Sequence, residues 1–162
     1  MNVGIGYDVH RLASGEALVL GGVRIPSEKG LIGWSDADVL THAIIDALLG
    51  AAAMGDIGRH FPPGDPQYKG ISSLVLLSKV RDMLSSRGWV TNNIDVTIVT
   101  EEPRLSDYAE QMCLNISRTL GIGSGLVNIK ASTSEQLGFV GRGEGVVTWA
   151  VASIKKAGGE DL

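Results

Sequence analysis

Cysteine, long apolar runs and clustered charge are all scarce in this chain, and each scarcity excludes a class of protein. The single cysteine, Cys113, cannot form a disulfide within the chain, which is typical of a reducing compartment. No apolar stretch approaches the roughly 18 residues that a membrane-spanning helix requires. The 14 basic and 18 acidic residues give a net charge of −4 without a basic cluster, so we expect no nucleic-acid partner.

The first residues, MNVGIGYDVHRL, also lack the basic segment and apolar run of a secretory signal, so we expect a cytoplasmic protein with no membrane partner. A length of 162 residues is enough to bury a core and predicts one domain over residues 1–162. Glycine, in contrast, is abundant at 22 residues. Its short clusters indicate tight turns and places where the backbone closely approaches another surface or a ligand.

Apolar periodicity predicts strands that alternate with three helices. Strands are expected at residues 2–10, 93–100, 126–132 and 145–154, with a hairpin at 17–25. Helices are expected at about residues 36–54, 72–87 and 105–120, and a Ser-x-x-Asp signature from Ser35 to Asp38 is the expected cap of the first. This alternation predicts an α/β (α+β) two-layer sandwich, with helices packed on one face of a mixed sheet.

The first candidate site lies in the stretch GYDVHRL, residues 6–12. Asp8 and His10 are two residues apart in a predicted strand, so their side chains point to the same face. A carboxylate beside an imidazole suits a metal ion or a charge-relay pair. It suits an ordinary polar strand end equally well, so the stretch alone leaves both interpretations open.

The first predicted helix carries a polar stripe. Asp38, His42 and Asp46 follow one another at intervals of four residues and therefore share one helix face. One interpretation makes Asp38 a helix cap and His42 a half-buried histidine. The other joins His42 to Asp8 and His10 as a three-ligand zinc set with a fourth position open to substrate. In that case Asp38 or Asp46 would orient the imidazole of His42.

A second polar stretch, KASTSEQLGFVGRGEG, covers residues 130–145. Hydroxyl groups and free backbone N–H groups where a strand gives way to a helix suit a phosphate ester. Glu135 could supply an oxygen ligand to Mg²⁺. The alternative is a Ser/Thr-rich turn in which a hydroxyl only caps the backbone.

Three segments together resemble the 2-C-methyl-D-erythritol 2,4-cyclodiphosphate synthase family of the non-mevalonate isoprenoid pathway. They are GIGYDVHRL at 4–12, the segment 20–62 with SDADVLTH and GDIG, and IKASTSEQLGFVGRGEG at 129–145. The motifs occur in the family's order and spacing, and the likeness covers essentially the whole chain.

The resemblance implies a cyclising, CMP-forming phosphorus–oxygen lyase. Its reaction converts 4-diphosphocytidyl-2-C-methyl-D-erythritol 2-phosphate to 2-C-methyl-D-erythritol 2,4-cyclodiphosphate. The resemblance also implies that Asp8, His10 and His42 bind a divalent metal, usually zinc. It implies that Glu135 helps hold Mg²⁺ or Mn²⁺ between substrate phosphates, which makes all four residues catalytic. The implied assembly is a homotrimer with active sites at the subunit interfaces.

The same resemblance implies the substrate contacts. Asp56 and Gly58 match ribose contacts, residues 100–106 with Ala131 match a cytosine pocket, and Thr133 matches a phosphate-binding hydroxyl. The full set of implied substrate-binding residues is Trp34, Ser35, Asp56, Gly58, Thr100, Arg104, Leu105, Ala131, Ser132, Thr133, Phe139 and Arg142.

Four positions depart from the family pattern. Trp34 stands where the family usually has a histidine, Arg104 replaces a lysine, and Pro63 replaces an aspartate. Trp149 replaces a glutamate that commonly faces the trimer axis. None of these positions is an implied metal ligand.

Two other function classes remain open at the level of sequence. A zinc-dependent phosphohydrolase would use the same three ligands and would need no cytosine pocket. A non-catalytic trimer with structural zinc would need a fourth protein ligand, and the sequence offers three candidates. The synthase is the interpretation that the motifs favour.

Overall fold

The computed structural model describes residues 1–158 and contains seven strands and five α-helices in that range. The strands are β1 Asn2–Ser14, β2 Leu18–Leu20, β3 Val23–Ile25, β4 Lys29–Leu31, β5 Trp89–Val99, β6 Val127–Ser132 and β7 Gly145–Lys156. The helices are α1 Val39–Ala51, α2 Ile57–His60, α3 Ser73–Ser86, α4 Ala109–Leu120 and α5 Gly138–Gly141. Short 3₁₀ turns lie at Pro66–Tyr68, Ser106–Tyr108 and Ser124–Leu126.

Five strands form one mixed sheet in the order β4-β1-β7-β5-β6. All neighbouring strands run antiparallel except β5 and β6, which are parallel. The hairpin β2–β3 pairs separately through a two-residue turn, Gly21 and Gly22, both with positive φ. That conformation is the one that glycine adopts without strain and that tight hairpins require. The mixed sheet expected from the sequence is confirmed.

The helix α1 lies in the centre of the molecule between the sheet and α3. All of its residues are buried except Asp46 and Gly50, as expected for a largely apolar helix in the centre of a domain. Its backbone passes very close to β1 at Gly4 and Gly6. A Cβ on Gly6 would lie only 1.9 Å from the carbonyl oxygen of Ala43, so this close approach needs glycine.

The opposite face of the sheet carries no helix within residues 1–158. Alternate residues of β1 on this face are apolar and exposed, among them Ile5 and Tyr7. Trp149 and Val151 of β7 continue the exposed surface, and the rings of Tyr7 and Trp149 lie 4.6 Å apart. The helices therefore cover one face only, as the sequence predicted, and the other face is an apolar surface.

The structure selects between the two caps that the sequence offers for the first helix. The helix begins at Val39, and Asp38 rather than Ser35 caps it by accepting the N–H of Thr41 at 3.0 Å. The buried carboxylate of Asp38 also accepts the N–H groups of Gly21 and Gly22, so it ties the helix to the hairpin turn. Burial outweighs these bonds and raises the pKa of Asp38. The Ser35 hydroxyl contacts His42 instead.

Other element boundaries also differ from the predictions. The strand β1 runs on to Ser14 because its last residues pair with β4. The last helix predicted, α4, begins at Ala109 after the 3₁₀ turn at 106–108 and ends at Leu120, where Gly121 with its positive φ caps the helix. No helix in the described part of the chain is both long and apolar enough to cross a membrane.

Candidate functional site

Asp8, His10 and His42 lie together at the covered face of β1. The Oδ2 atom of Asp8 is 3.0 Å from Nε2 of His10 and 3.2 Å from Nδ1 of His42, and those two nitrogens are 3.2 Å apart. Zinc bound tetrahedrally at about 2.0–2.2 Å keeps its nitrogen and oxygen ligands about 3.3–3.6 Å apart. The triangle therefore fits a small divalent cation after adjustments of a few tenths of an ångström.

Each imidazole is held so that one nitrogen faces this triangle. Nδ1 of His10 lies 2.7 Å from the carbonyl oxygen of Ile32 and must donate to it, which leaves Nε2 free. Nε2 of His42 lies 2.8 Å from Oγ of Ser73 and 3.1 Å from Oγ of Ser35, so Nδ1 faces Asp8. A metal-bound histidine needs just this arrangement, with its second nitrogen occupied by a fixed partner.

The predicted role of Asp38 or Asp46 in orienting His42 is wrong. Neither carboxylate hydrogen-bonds to His42 in the described structure. Asp38 is occupied by the hairpin and the start of α1. Asp46 accepts the N–H of Ile57 at 2.7 Å and so holds the loop before α2. Two serine hydroxyls take the place that the carboxylates were expected to fill.

The charge of the triangle is suited to a cation. Burial alone would raise the pKa of Asp8, but the adjacent imidazoles outweigh it and hold the pKa at about 2. Burial alone would lower the pKa of His10, but its bonds to Asp8 and to the Ile32 carbonyl raise it. At neutral pH Asp8 is therefore an anion, and a bound cation would compete with protons for the two imidazoles.

The metal triangle opens into a cavity of about 230 Å³. Three of the predicted substrate contacts, Trp34, Ser35 and Gly58, line this cavity. Trp34 is fixed by donating its indole N–H to the carbonyl oxygen of Asp65 at 2.8 Å. Asp56 precedes two residues that line the cavity, Ile57 and Gly58, but is not itself among the lining residues. It is exposed, and its carboxylate caps α2 by accepting the N–H of Arg59.

A second cavity, of about 640 Å³, lies at the carboxyl ends of the parallel strands β5 and β6. Ligands commonly bind at this end of parallel strands because the loops there diverge. Its walls include apolar groups from α4 and β6, such as Met112 and Ile129. The predicted substrate contacts that line it are Thr100, Arg104, Leu105, Ala131, Ser132 and Thr133.

Glu135 lies in the exposed loop beyond this second cavity and has a φ of 53°. The hydroxyl of Thr133 contacts its carboxylate at 3.2 Å. The loop is anchored by Glu101, whose carboxylate accepts the N–H and hydroxyl of Ser134 and, at 3.3 Å, the N–H of Gln136. These bonds lower the pKa of Glu101.

The structure does not gather the predicted site into one place. The two cavities share no lining residue within residues 1–158. Glu135 is outside the group formed by Asp8, His10 and His42. Phe139 lies against Gly145, and Arg142 forms an exposed ion pair with Glu144 at 2.9 Å.

Comparison with known proteins identifies the family, since the YgbB family model matches residues 1–155. The chain belongs to the YgbB family. A 2-C-methyl-D-erythritol 2,4-cyclodiphosphate synthase from Dehalococcoides mccartyi (strain CBDB1) is 64% identical over 95% of this chain and 98% of its own length. The family resemblance drawn from the sequence motifs is confirmed.

Solved structures of YgbB-like proteins share the fold. The bifunctional IspDF from Campylobacter jejuni matches with a TM-score of 0.92 at 39% identity, over 96% of this chain and 42% of that longer chain. IspF from Plasmodium falciparum, in a CDP complex, matches with a TM-score of 0.84 at 28% identity over 96% of both chains. These likenesses confirm the expected mixed α/β fold.

Sequence reasoning missed two residues that hold this site in place, Asp36 and Ser73, and it included Glu101 only within the implied cytosine pocket at 100–106. Asp36 was counted as part of the first helix, although it precedes the cap. Ser73 was one of two adjacent serines at a predicted helix start, which usually indicates capping alone. Glu101 gave the clearest signal, a carboxylate directly after a strand whose partner strand leads into the Ser/Thr-rich loop.

Proposed function

We propose that the chain is a cyclising lyase of the non-mevalonate pathway. It converts 4-diphosphocytidyl-2-C-methyl-D-erythritol 2-phosphate to 2-C-methyl-D-erythritol 2,4-cyclodiphosphate and releases CMP. The observation that carries this proposal is the triangle of Asp8, His10 and His42. It lies in a chain 64% identical to a 2-C-methyl-D-erythritol 2,4-cyclodiphosphate synthase. Family membership supports the reaction, and the triangle would hold the divalent cation whose positive charge the reaction needs.

The reaction joins two anions within one molecule. The oxygen of the 2-phosphate attacks the β-phosphorus of the diphosphate, and the bond to CMP breaks. A divalent cation held by Asp8, His10 and His42 would supply positive charge to the phosphates. The residues of the chain hold the reacting groups in line, which is the larger part of catalysis in phosphoryl transfer. No protein nucleophile is required.

We propose zinc for the triangle and Mg²⁺ or Mn²⁺ for Glu135. Two imidazole nitrogens and one carboxylate oxygen form a ligand set that zinc favours, and the set leaves a fourth position open. The carboxylate of Glu135 is a hard oxygen ligand on an exposed loop, which suits a cation shared with substrate phosphates. Asp8 contributes its negative charge at any pH well above 2, given its lowered pKa.

The cavity at the carboxyl ends of β5 and β6 is the proposed cytidine site. Its apolar walls, including Leu105 and Ile129, suit the faces of a pyrimidine, and the backbone and hydroxyls of residues 131–133 can bond its edge and the phosphates. The guanidinium of Arg104 adds a positive charge at this cavity. The P. falciparum relative with a matching fold is described as a CDP complex, which agrees with a cytidine nucleotide as ligand.

We propose that the chain works as a homotrimer. The cytidine cavity and the metal cavity are separate in one chain, whereas the substrate carries its cytosine and its phosphates on a single molecule. Joining the cytidine cavity of one copy to the metal cavity of the next would resolve this separation. The exposed apolar face with Ile5, Tyr7 and Trp149 would supply the contact between copies.

One experiment tests the reaction and separates it from its alternatives. Purified protein is analysed for bound metal and incubated with the cytidylated substrate with and without Mg²⁺, and the products are followed by ³¹P NMR. Roughly one zinc per chain with CMP and a cyclic diphosphate is the expected result. A linear product would indicate a phosphohydrolase instead. Bound zinc without turnover would indicate a non-catalytic protein. Sedimentation velocity on the same sample is expected to give a trimer.

A further inference from the structure

We propose that Ser73 and Asp36 are positioning residues that fix the imidazole of His42 in the tautomer needed for metal binding. The chain of hydrogen bonds runs from Nε2 of His42 to Oγ of Ser73 and from the Ser73 hydroxyl to Oδ1 of Asp36. This inference rests on the proposed metal-binding role of His42, and the experiment below separates the failure of one from the failure of the other.

The direction of the bonds follows from counting protons. The carboxylate of Asp36 can only accept, so the single hydroxyl proton of Ser73 must go to it. The Ser73 oxygen is then left as an acceptor toward His42, and the short contact of 2.8 Å requires a proton on Nε2. A neutral imidazole with its proton on Nε2 carries its lone pair on Nδ1. That is the nitrogen that faces Asp8 and His10.

The surroundings make this arrangement rigid. Ser73 is fully buried at the start of α3, and its backbone N–H also donates to Asp36, at 2.9 Å. Asp36 accepts in addition the N–H of Asp38 at 3.2 Å, and its own N–H is bonded to the carbonyl oxygen of Ile71. The serine is therefore held by two bonds to one carboxylate and has little freedom to reverse its hydroxyl.

Ser35 cannot do the same alone. Its hydroxyl lies 3.1 Å from Nε2 of His42, farther than that of Ser73, and its oxygen accepts the N–H of Ala37 at 3.4 Å. No carboxylate in the described structure fixes the direction of the Ser35 proton. A hydroxyl that is free to rotate can donate or accept, so it does not select a tautomer.

Asp36 and Ser73 also join the segment before α1 to the start of α3, and a purely structural role would show itself only in stability. The distinguishing variant is Asp36→Asn. Its amide keeps the size of the carboxylate but can donate to Ser73, which allows the serine proton to turn toward His42 and favours a proton on Nδ1. The substitution of the aspartate in a Ser-His-Asp triad acts through the tautomer in the same way.

The test measures the tautomer directly in metal-free protein. Long-range ¹H–¹⁵N NMR at about pH 8.5, where histidine is ordinarily neutral, distinguishes a proton on Nε2 from one on Nδ1. The resonance of His42 is assigned by its loss in His42→Gln. We expect the Nε2 proton in the wild-type chain and a shift toward the Nδ1 proton in Asp36→Asn. A wild-type His42 that carries its proton on Nδ1 would overturn the proposal without any variant.

Zinc affinity, measured by competition with a chromophoric chelator, gives the second readout. Asp36→Asn and Ser73→Ala are expected to weaken binding by roughly 10- to 100-fold, as is usual for partners of metal-bound histidines. The matched control is Ser117→Ala, which removes an equally buried serine hydroxyl on α4 that bonds only to the Leu114 carbonyl. We expect the control to keep wild-type affinity.

The outcomes distinguish the two proposals. If Asp36→Asn keeps both the tautomer and the zinc affinity of the wild-type chain, the positioning role is wrong while metal binding stands. If the wild-type chain shows the Nε2 proton, loses it in Asp36→Asn and binds no zinc, the positioning role stands and the metal site is wrong. Should Asp36→Asn fail to fold, Ser73→Ala and the wild-type tautomer still decide the question.

Discussion

The proposed metal cavity and the proposed cytidine cavity are built in different ways. The metal cavity takes its donor atoms from β1 and α1, which are packed backbone to backbone, and buried partners fix each imidazole. The cytidine cavity takes its polar groups from the segment 100–106 after β5 and from Ser132 and Thr133 at the end of β6, where Glu101 anchors the exposed loop that follows. The difference indicates where precision is needed. In the proposed reaction, charge at the phosphates must be placed accurately, whereas a nucleotide base would tolerate a pocket that adjusts.

The largest expected effect comes from removing a ligand of the metal cavity. His42→Ala should lower kcat by on the order of 10³-fold, because a catalytic cation contributes several kcal/mol to transition-state stabilisation. Zinc content should fall with it. CDP binding should remain, since the cytidine cavity is formed by other elements. Steady-state kinetics, metal analysis and calorimetry with CDP measure the three quantities, and sedimentation velocity checks that the assembly is retained.

The matched control for this variant is His60→Gln. His60 is the one histidine outside the metal triangle, and its Nε2 contacts the carbonyl oxygen of Met54, which a glutamine amide can also reach. We expect near-normal kcat from the control. Wild-type turnover by His42→Ala, or a collapse of the assembly, would contradict the role assigned to His42.

The second largest expected effect comes from disturbing the packing of α1 on β1, which should weaken zinc binding without weakening CDP binding. Gly6→Ala would place a methyl group against the Ala43 carbonyl and push the helix away from the strand. Overpacking of this kind costs about 1–3 kcal/mol of the free energy of unfolding or more. Because Asp8 and His10 lie on the strand and His42 on the helix, zinc affinity should fall while CDP affinity stays the same.

Two further glycine variants sharpen this result. Gly123→Ala has open space around the new methyl group and should change neither the free energy of unfolding nor the zinc affinity. Gly4→Ala meets the Ala47 carbonyl at 2.1 Å but lies farther along β1 from the ligands, so it should cost similar stability and less zinc affinity. Chemical denaturation and the chelator assay measure both. Equal losses of zinc and CDP affinity in Gly6→Ala would show that the two cavities are not independent.

How much of the fold and of the candidate site can be predicted from the sequence depends on how far apart in the chain the interacting residues lie. The mixed sheet and the helix-covered face follow from local periodicity, whereas the grouping of Asp8, His10 and His42 is one of two open interpretations until the family resemblance favours it. Asp38 is one of the two caps that the sequence offers for α1, whereas its further bonds to the distant hairpin turn at Gly21 and Gly22 are contacts that no local pattern encodes. The partnership of Ser73 with His42 spans 31 residues and was invisible for the same reason.

The smallest expected effect comes from the anchor of the cytidine loop. Glu101→Gln keeps an acceptor oxygen for Ser134 but removes the negative charge that the loop N–H groups stabilise. Those N–H groups lower the pKa of Glu101, so the wild-type carboxylate stays ionised across neutral pH. We expect KM for the substrate and Kd for CDP to rise roughly five- to tenfold, as for the loss of one charge-assisted hydrogen bond at an exposed position.

Whether Glu101→Gln changes KM or kcat decides whether the cytidine cavity is independent of the metal cavity. If the loop only shapes the nucleotide pocket, kcat should change less than twofold, and Glu102→Gln, at the exposed neighbouring position, should match the wild type. A fall in kcat at unchanged KM would mean that Glu101 acts on the phosphates through Glu135, two residues from the edge of the pocket at Thr133. In that case the exposed loop would need the same accuracy as the buried metal triangle, and the two cavities would form one catalytic unit.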